Sequence, residues 1–238
     1  MSNAAGYRRR VAFFGGSFDP PHKGHLAVAG VAQTAFHLDT VLFAPVGAQP
    51  LKPLGSTASF DDRVAMTRLA IANNPSFAIS LADAPASDGS PNYTIDTLLA
   101  LRAELSPDDT LFCLMGADSF LNLRRWHRAA EVPFAAQFIV ASRPGEQLDD
   151  LAATLPEELT IEPASAQPPT SSVAILAFRL RDLKGNSTPF YVLPGLHVEI
   201  SASEIRRQVS AAIDCSSGGH NLIPDAVCEY ISSHDLYR

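Results

Sequence analysis

The chain has 238 residues, 46% hydrophobic and 18% charged, with a formal net charge of −7. That is enough apolar sequence to build a full core in one ordinary globular domain, and the acidic balance argues against a general nucleic-acid binder. No apolar run approaches the roughly 20 residues that span a bilayer. Cys113, Cys215 and Cys228 are an odd set without Cys-x-x-Cys spacing, which predicts neither a disulfide framework nor a zinc site.

Met1 to Arg10 holds a Tyr-Arg-Arg-Arg cluster but no apolar core of about 7–15 residues leading to a cleavage site. Residues 1–10 are therefore expected to form a flexible lead-in, with the cytoplasm as the default location. Residues 11–15 then read as a buried strand. The Gly15-Gly16 turn, Ser17-Phe18-Asp19 and Pro20-Pro21 follow, and His22 and His25 stand where a helix over 24–36 begins. A strand, a glycine turn and a helix start make a phosphate site: glycines let the anion approach the backbone, and first-turn N–H groups point at it. Two imidazoles at i, i+3 lie on one side of that turn and can bracket one phosphate.

Further short strands are predicted over 40–45, 77–81, 110–115 and 137–141, and helices over 60–73 and 94–105, with one or two short helices in 118–131. This alternation implies an α/β fold, a doubly wound parallel sheet with right-handed crossovers. Ligands of such sheets bind beyond the carboxyl ends of the strands. The glycine turn, the Pro45–Lys52 loop and Gly116-Ala117-Asp118 all fall on that rim. Residues 11–238 read as a single domain, with an irregular elaboration over 146–192 that includes a Pro/Ser/Ala-rich stretch. A small C-terminal helical elaboration spans 203–238. Its helices are predicted over 203–213, with Ser203 and Glu204 in the first turn, and over 224–233, with Pro224 and Asp225 there.

For a site that binds phosphate anions the positive potential must be local, given the acidic net charge. Arg206-Arg207, Arg143, Lys52 and Arg124-Arg125 are the candidate sources. Ile200-Ser201-Ala202-Ser203-Glu204-Ile205-Arg206 reads as another helix start, with hydroxyls at 201 and 203 and a guanidinium one turn in. It is either a natural clamp for a triphosphate or, taken alone, an ordinary serine cap with a solvated arginine. Tyr93-Thr94 precedes a helix and could simply cap it. Trp126, the only tryptophan, could simply pack.

Gly15-Gly16-Ser17-Phe18-Asp19-Pro20-Pro21-His22-Lys23-Gly24-His25 resembles the first motif of the bacterial nicotinate mononucleotide adenylyltransferases, within the nucleotidylyltransferase superfamily marked by [H/T]-x-G-H. The segment 200–206 is similar to that superfamily's I-S-[ST]-[ST]-x-[IV]-R signature; Ala202 departs from it and Ser203 keeps the hydroxyl. Tyr93-Thr94, Gly116-Ala117-Asp118-Ser119 and Trp126 resemble the pattern that marks the nicotinate branch. Pro45 to Lys52 resembles a P-x-x-x-P-P-H-K loop, with Leu51 where histidine is common. Ala141 to Gly145 resembles an R-[RP]-G segment. The likeness spans nearly the whole chain and is weakest across 146–192.

The resemblance implies a Rossmann-like nucleotidylyltransferase fold and transfer of AMP from ATP to nicotinate mononucleotide; the charge of those substrates then implies Mg²⁺ carried by their phosphates, with no protein metal site expected. It implies catalytic roles for His22, His25 and Arg206. ATP contacts would come from Gly15, Gly16, Ser17, Phe18, His22, His25, Gly116, Asp118, Arg143, Ser201, Ser203 and Arg206. The mononucleotide would be held by Ser17, Lys52, Tyr93, Thr94, Asp118 and Trp126: backbone N–H groups at Tyr93-Thr94 for the nicotinate carboxylate, and the indole stacked on the pyridine ring. Asp19 is read either as a turn-stabilising residue or as a ligand contact. The partners implied are the two nucleotides, with no nucleic acid and no membrane, and a homo-oligomer among the expectations. Alternatives are the same chemistry on nicotinamide mononucleotide or phosphopantetheine, or a nucleotide-binding regulator without turnover.

Overall fold

Val11 and Phe13 point to one side of the first strand, Ala12 and Phe14 to the other, and all four are buried. A strand buried on both faces must be covered by helices on both. The computed structural model describes residues 7–52, 55–142, 152–164, 174–194, 201–210 and 222–238. In chain order they form β1 (Arg10–Gly16), α1 (Lys23–Phe36), β2 (Thr40–Pro45), α2 (Phe60–Ile71), β3 (Phe77–Ile79), α3 (Thr94–Glu104) and β4 (Thr110–Gly116). There follow α4 (Ala117–Phe120), a 3₁₀ turn (Leu123–Arg125), α5 (Val132–Ala135), β5 (Gln137–Ala141), β6 (Leu159–Pro163), β7 (Leu176–Asp182) and β8 (Ser187–Leu193). The helices α6 (Ala202–Ser210) and α7 (Asp225–Ser233) close the described chain.

One sheet of eight strands runs in the order β3-β2-β1-β4-β5-β8-β7-β6. The pairs from β3 through to β8 are parallel, whereas β8–β7 and β7–β6 are antiparallel. The order reverses direction between β1 and β4. At such a switch point the loops part and leave a crevice at the strands' carboxyl ends. Phe138, Val140 and the inner residues of α3 and α5 fill one side of the sheet. The other side is filled by Phe43, Phe112, Leu114 and the small face of α1, Ala29, Ala32 and Ala35, which lets that helix lie close on the strands. A third cluster, Met66, Ile205, Ile223, Val227, Cys228 and Ile231, joins α2, α6 and α7. Each large side chain closed in these cores contributes about 1.5–3 kcal/mol.

The stretch 146–192 differs from expectation. Its described part is not irregular: β6 and β7 pair antiparallel, β7 returns through a turn at Leu183–Asn186 into β8, and β8 lies beside β5. Arg181–Glu162 pairs across it at 2.9 Å. Short alternating strands rich in charged residues hide their period on an exposed face. The lead-in also departs from the flexible reading over its described residues. Arg9 donates twice to the Asp109 carboxylate from its side chain, at 2.7 and 3.0 Å, and once from its backbone, Tyr7 Oη bonds Asp39, and Arg10 already belongs to β1. Cys113 is free, its thiol pushed up to about 12 by burial.

Candidate active site

Beyond β1 the backbone makes a tight reversal. Phe18 sits at φ 46 with the Asp19–Pro20 peptide cis, and its ring is sealed in the core at 1% exposure. The side chain wedges the turn from beneath and is closed to ligand, so any nucleotide contact of Phe18 falls to its backbone. The neighbouring Ser17 hydroxyl accepts from Lys52 Nζ at 2.8 Å and donates to Gln49 Oε1 at 3.3 Å, while the Ser17 carbonyl accepts from Arg63 at 2.8 Å. The loop after β2 is thereby tied to the loop after β1, and Lys52 is brought to the glycine turn.

His22 caps α1 with extended backbone (φ −138, ψ 167). One expected anion donor is already taken, because the Lys23 N–H binds the Leu222 carbonyl at 2.8 Å. The His22 and His25 rings stack with centroids 3.6 Å apart, and His25 meets Phe18 and Phe14 edge-on at 5.0 and 6.1 Å. Burial pushes His22 down to about 4, and burial together with the neighbouring His22 pushes His25 well below the usual imidazole range. Both are neutral at pH 7. His25 Nδ1 accepts the His22 backbone N–H at 3.2 Å, so its one remaining hydrogen lies on Nε2. The His22 Nδ1 is buried with no partner among the described residues. A neutral imidazole fixed in this tautomer donates one directed hydrogen bond from a desolvated position, where such a bond is strongest.

Asp19 resolves in favour of the turn. At 3% exposure its carboxylate accepts the Thr57 and Ala58 N–H groups at 2.7 and 3.1 Å and the Tyr237 hydroxyl at 2.8 Å. Arg206, one turn into α6, donates to the Asp19 carbonyl at 2.7 Å and to the Ser203 hydroxyl at 3.2 Å. The α6 and β1 loops, far apart in sequence, thus share one corner, and the rest of the Arg206 fork is available to a ligand. Ser201 supplies its carbonyl to Ile205 at 3.1 Å. Arg143 lies outside the described residues.

Sequence reasoning missed Arg63. It is 2% exposed, holds the Ser17 carbonyl, and has a buried Nε with no partner among the described residues. Burial lowers its affinity for a proton, and Asp19 and Tyr237 oppose that. The sequence signal was an arginine on the inner face of a predicted helix, where an unpaired charge does not belong. Lys52 is likewise pushed down, by burial and then by Arg206. Three cations therefore converge on Ser17 and Asp19 within a chain of net charge −7.

At the other end of the crevice, Tyr93 occupies the cap position of α3 with no side-chain bond to its first turn, and Thr94 is the first helical residue. The Tyr93 ring packs on His127 with centroids 4.3 Å apart, and Tyr93 and Trp126 both lean on the same core. Asn92 links this segment to the loop after β2: its Oδ1 accepts the Ala48 N–H and its Nδ2 donates to the Ala84 carbonyl, each at 2.8 Å. Gly47 is required there, since a Cβ would stand 2.5 Å from the Pro85 backbone nitrogen. Gly116, ending β4, is the opposite case: among the described residues a Cβ would meet nothing within 4 Å, so the backbone borders open space there. Asp118 is exposed, and its carbonyl accepts from Asn122 at 2.9 Å. No helix among the described residues is long and apolar enough to cross a membrane.

A switch-point crevice with paired imidazoles, an arginine one turn into a late helix and backbone left bare beside β4 defines the nucleotidyltransferase class. The cytidylyltransferase-like family matches over residues 13–208, and the chain belongs to that family, within its nicotinate-nucleotide adenylyltransferase branch. A protein of Geobacter sp. (strain M21) named "probable nicotinate-nucleotide adenylyltransferase" is 37% identical over 235 residues, spanning 96% of this chain and 98% of its own. One of the same name from Solibacter usitatus is 35% identical over 229 residues, spanning 96% and 100%. The fold is similar to that of Plasmodium falciparum nicotinic acid mononucleotide adenylyltransferase, solved in complex with NaAD. The TM-score is 0.65 at 18% identity, covering 97% of this chain and 98% of that one.

Proposed function

We propose that the protein transfers the adenylyl group of ATP to nicotinate mononucleotide, giving nicotinate adenine dinucleotide and pyrophosphate, a step of NAD biosynthesis. The observation that carries this reading is the meeting, at the β1/β4 switch point, of the stacked neutral imidazoles with the Lys52–Ser17 and Arg206–Asp19 corner. The names of the similar bacterial proteins agree with it.

In this reaction a phosphate oxygen of the mononucleotide forms a bond to the α-phosphorus of ATP, and the bond from that phosphorus to the bridging oxygen breaks as pyrophosphate leaves. No covalent enzyme intermediate is needed, so the protein's task is alignment and stabilisation of charge on the equatorial oxygens. His25, with Nε2–H as its only donor, serves that charge, and His22 beside it does the same. Arg206 forks the triphosphate. Gly15, Gly16 and Gly116 let phosphate and nucleoside approach the backbone, while Ser17 and Lys52 hold the mononucleotide phosphate. Thr94 at the uncapped start of α3 presents N–H groups to the nicotinate carboxylate, and Trp126 stacks on the pyridine ring. Asp118 orients nucleotide hydroxyls. Mg²⁺ would ride on the ATP phosphates and offset their charge; among the described residues no three His, Cys, Asp or Glu side chains gather into a cage for it.

The test is pyrophosphate release with Mg²⁺-ATP, run in parallel with nicotinate mononucleotide, nicotinamide mononucleotide and phosphopantetheine. A large kcat/KM preference for the acid mononucleotide is expected. Preference for another acceptor would move the specificity assignment, and ATP binding without turnover on any would overturn the reading.

A further inference from the structure

The last helix ends at Ser233, and the chain then turns back toward the phosphate corner. Asp235 and Tyr237 both adopt positive φ, 52 and 66, a conformation that an aromatic residue keeps only when its surroundings hold it there. What holds Tyr237 is specific. Its ring leans on the cluster that joins α2, α6 and α7, and its hydroxyl donates to Asp19 Oδ1 at 2.8 Å. The other carboxylate oxygen, Oδ2, takes the Thr57 N–H at 2.7 Å and lies 3.8 Å from the Arg206 guanidinium. Asp19 is thus a buried anion within reach of the arginine that is to bind nucleotide phosphates. It competes with them. A carboxylate short of donors draws a nearby guanidinium into a direct, bidentate pair. As it stands, Arg206 gives only one N–H to the Asp19 main-chain carbonyl and keeps the salt-bridge distance long.

We propose that Tyr237 is a positioning residue for the phosphate site: its hydroxyl keeps the Asp19 carboxylate occupied, and so leaves the Arg206 guanidinium directed at the nucleotide. The inference rests on Arg206 as a phosphate contact and extends that reading to the second-last residue of the chain.

The experiment is a double-mutant cycle read by calorimetric binding of Mg²⁺-ATP without acceptor, with steady-state kinetics and Tm alongside. Tyr237→Phe keeps the packed ring and removes one hydroxyl. In the otherwise unchanged protein it should weaken ATP binding and lower kcat by about 5–10-fold each, the net worth of one ordinary hydrogen bond. The mononucleotide KM should stay within about twofold. In an Arg206→Ala background the same substitution should change ATP affinity by less than about twofold, because the group it acts through is gone. Equal losses in both backgrounds would make the hydroxyl a general structural bond and overturn the proposal. A fall in Tm with ATP affinity intact would overturn it too, as would an Arg206→Ala variant that binds ATP normally. Since the binding readout needs no acceptor, a protein inert toward nicotinate mononucleotide that still shows the non-additive loss would sink the substrate assignment and leave this inference standing.

Discussion

The imidazole pair has two consequences that separate catalysis from stability. His25→Ala is expected to lower kcat by on the order of 10²–10³ while ATP affinity changes little, because its Nε2–H serves charge that builds in the transition state. Equal losses of binding and rate, or a folding defect, would make His25 structural. The pair also links stability to pH. His22 titrates near 4 in the folded protein, below its ordinary value, so between roughly pH 6.5 and 4 the unfolded chain binds the extra proton. The stability is complete above about pH 6.5 and is lost as pH falls toward 4, by on the order of 3 kcal/mol for His22 alone. A pH series of urea melts checks this, and His22→Asn should flatten the slope; an unchanged slope would mean that other groups set it. At the far end of the crevice, Trp126→Ala should raise KM for the mononucleotide and leave that for ATP nearly unchanged. A parallel rise in both would remove Trp126 from the acceptor site.

Glycines at the ends of elements show how the loops are built for ligand or for fold. Gly116 and Gly47 look alike in sequence. Among the described residues a Cβ at Gly116 meets nothing within 4 Å, whereas one at Gly47 would strike the Pro85 backbone at 2.5 Å. Gly116→Val should therefore leave Tm nearly unchanged and raise substrate KM by about tenfold or more, as an added side chain excludes ligand. Gly47→Ala should cost about 1–3 kcal/mol of stability through forced movement of packed backbone. A Tm loss of equal size in both would show that Gly116 faces protein. The elements themselves were legible where one physical pattern dominated: the buried runs of β1, β2, β4 and β5 and the Ala-rich face of α1 lie where the periodicity puts them. β6 to β8 were not, because an antiparallel extension with a wet face alternates weakly between charged and apolar residues. Arg63 was not either, since helix patterning cannot say that a carbonyl and a carboxylate wait on its inner side.

Across the whole molecule the charge is arranged against its total. A chain of net charge −7 gathers Lys52, Arg63 and Arg206 around one turn, so the local field attracts anions that the mean field repels. Raising ionic strength from about 50 to about 500 mM should then lower kcat/KM for the nucleotides several-fold by screening that attraction. A rise with salt would mean that the overall negative charge governs encounter. The sequence by itself determined the glycine turn, the paired histidines, the Arg206 helix start and the parallel strands β1 to β5. Each is a local pattern whose chemistry is set by a few adjacent residues and by backbone geometry. Only the tertiary structure decided the tautomer of His25, the closure of Phe18, the burial of Arg63 and the reach of Tyr237 back to Asp19. Those depend on which groups meet across many intervening residues, and hence on the packing that removes water from between them.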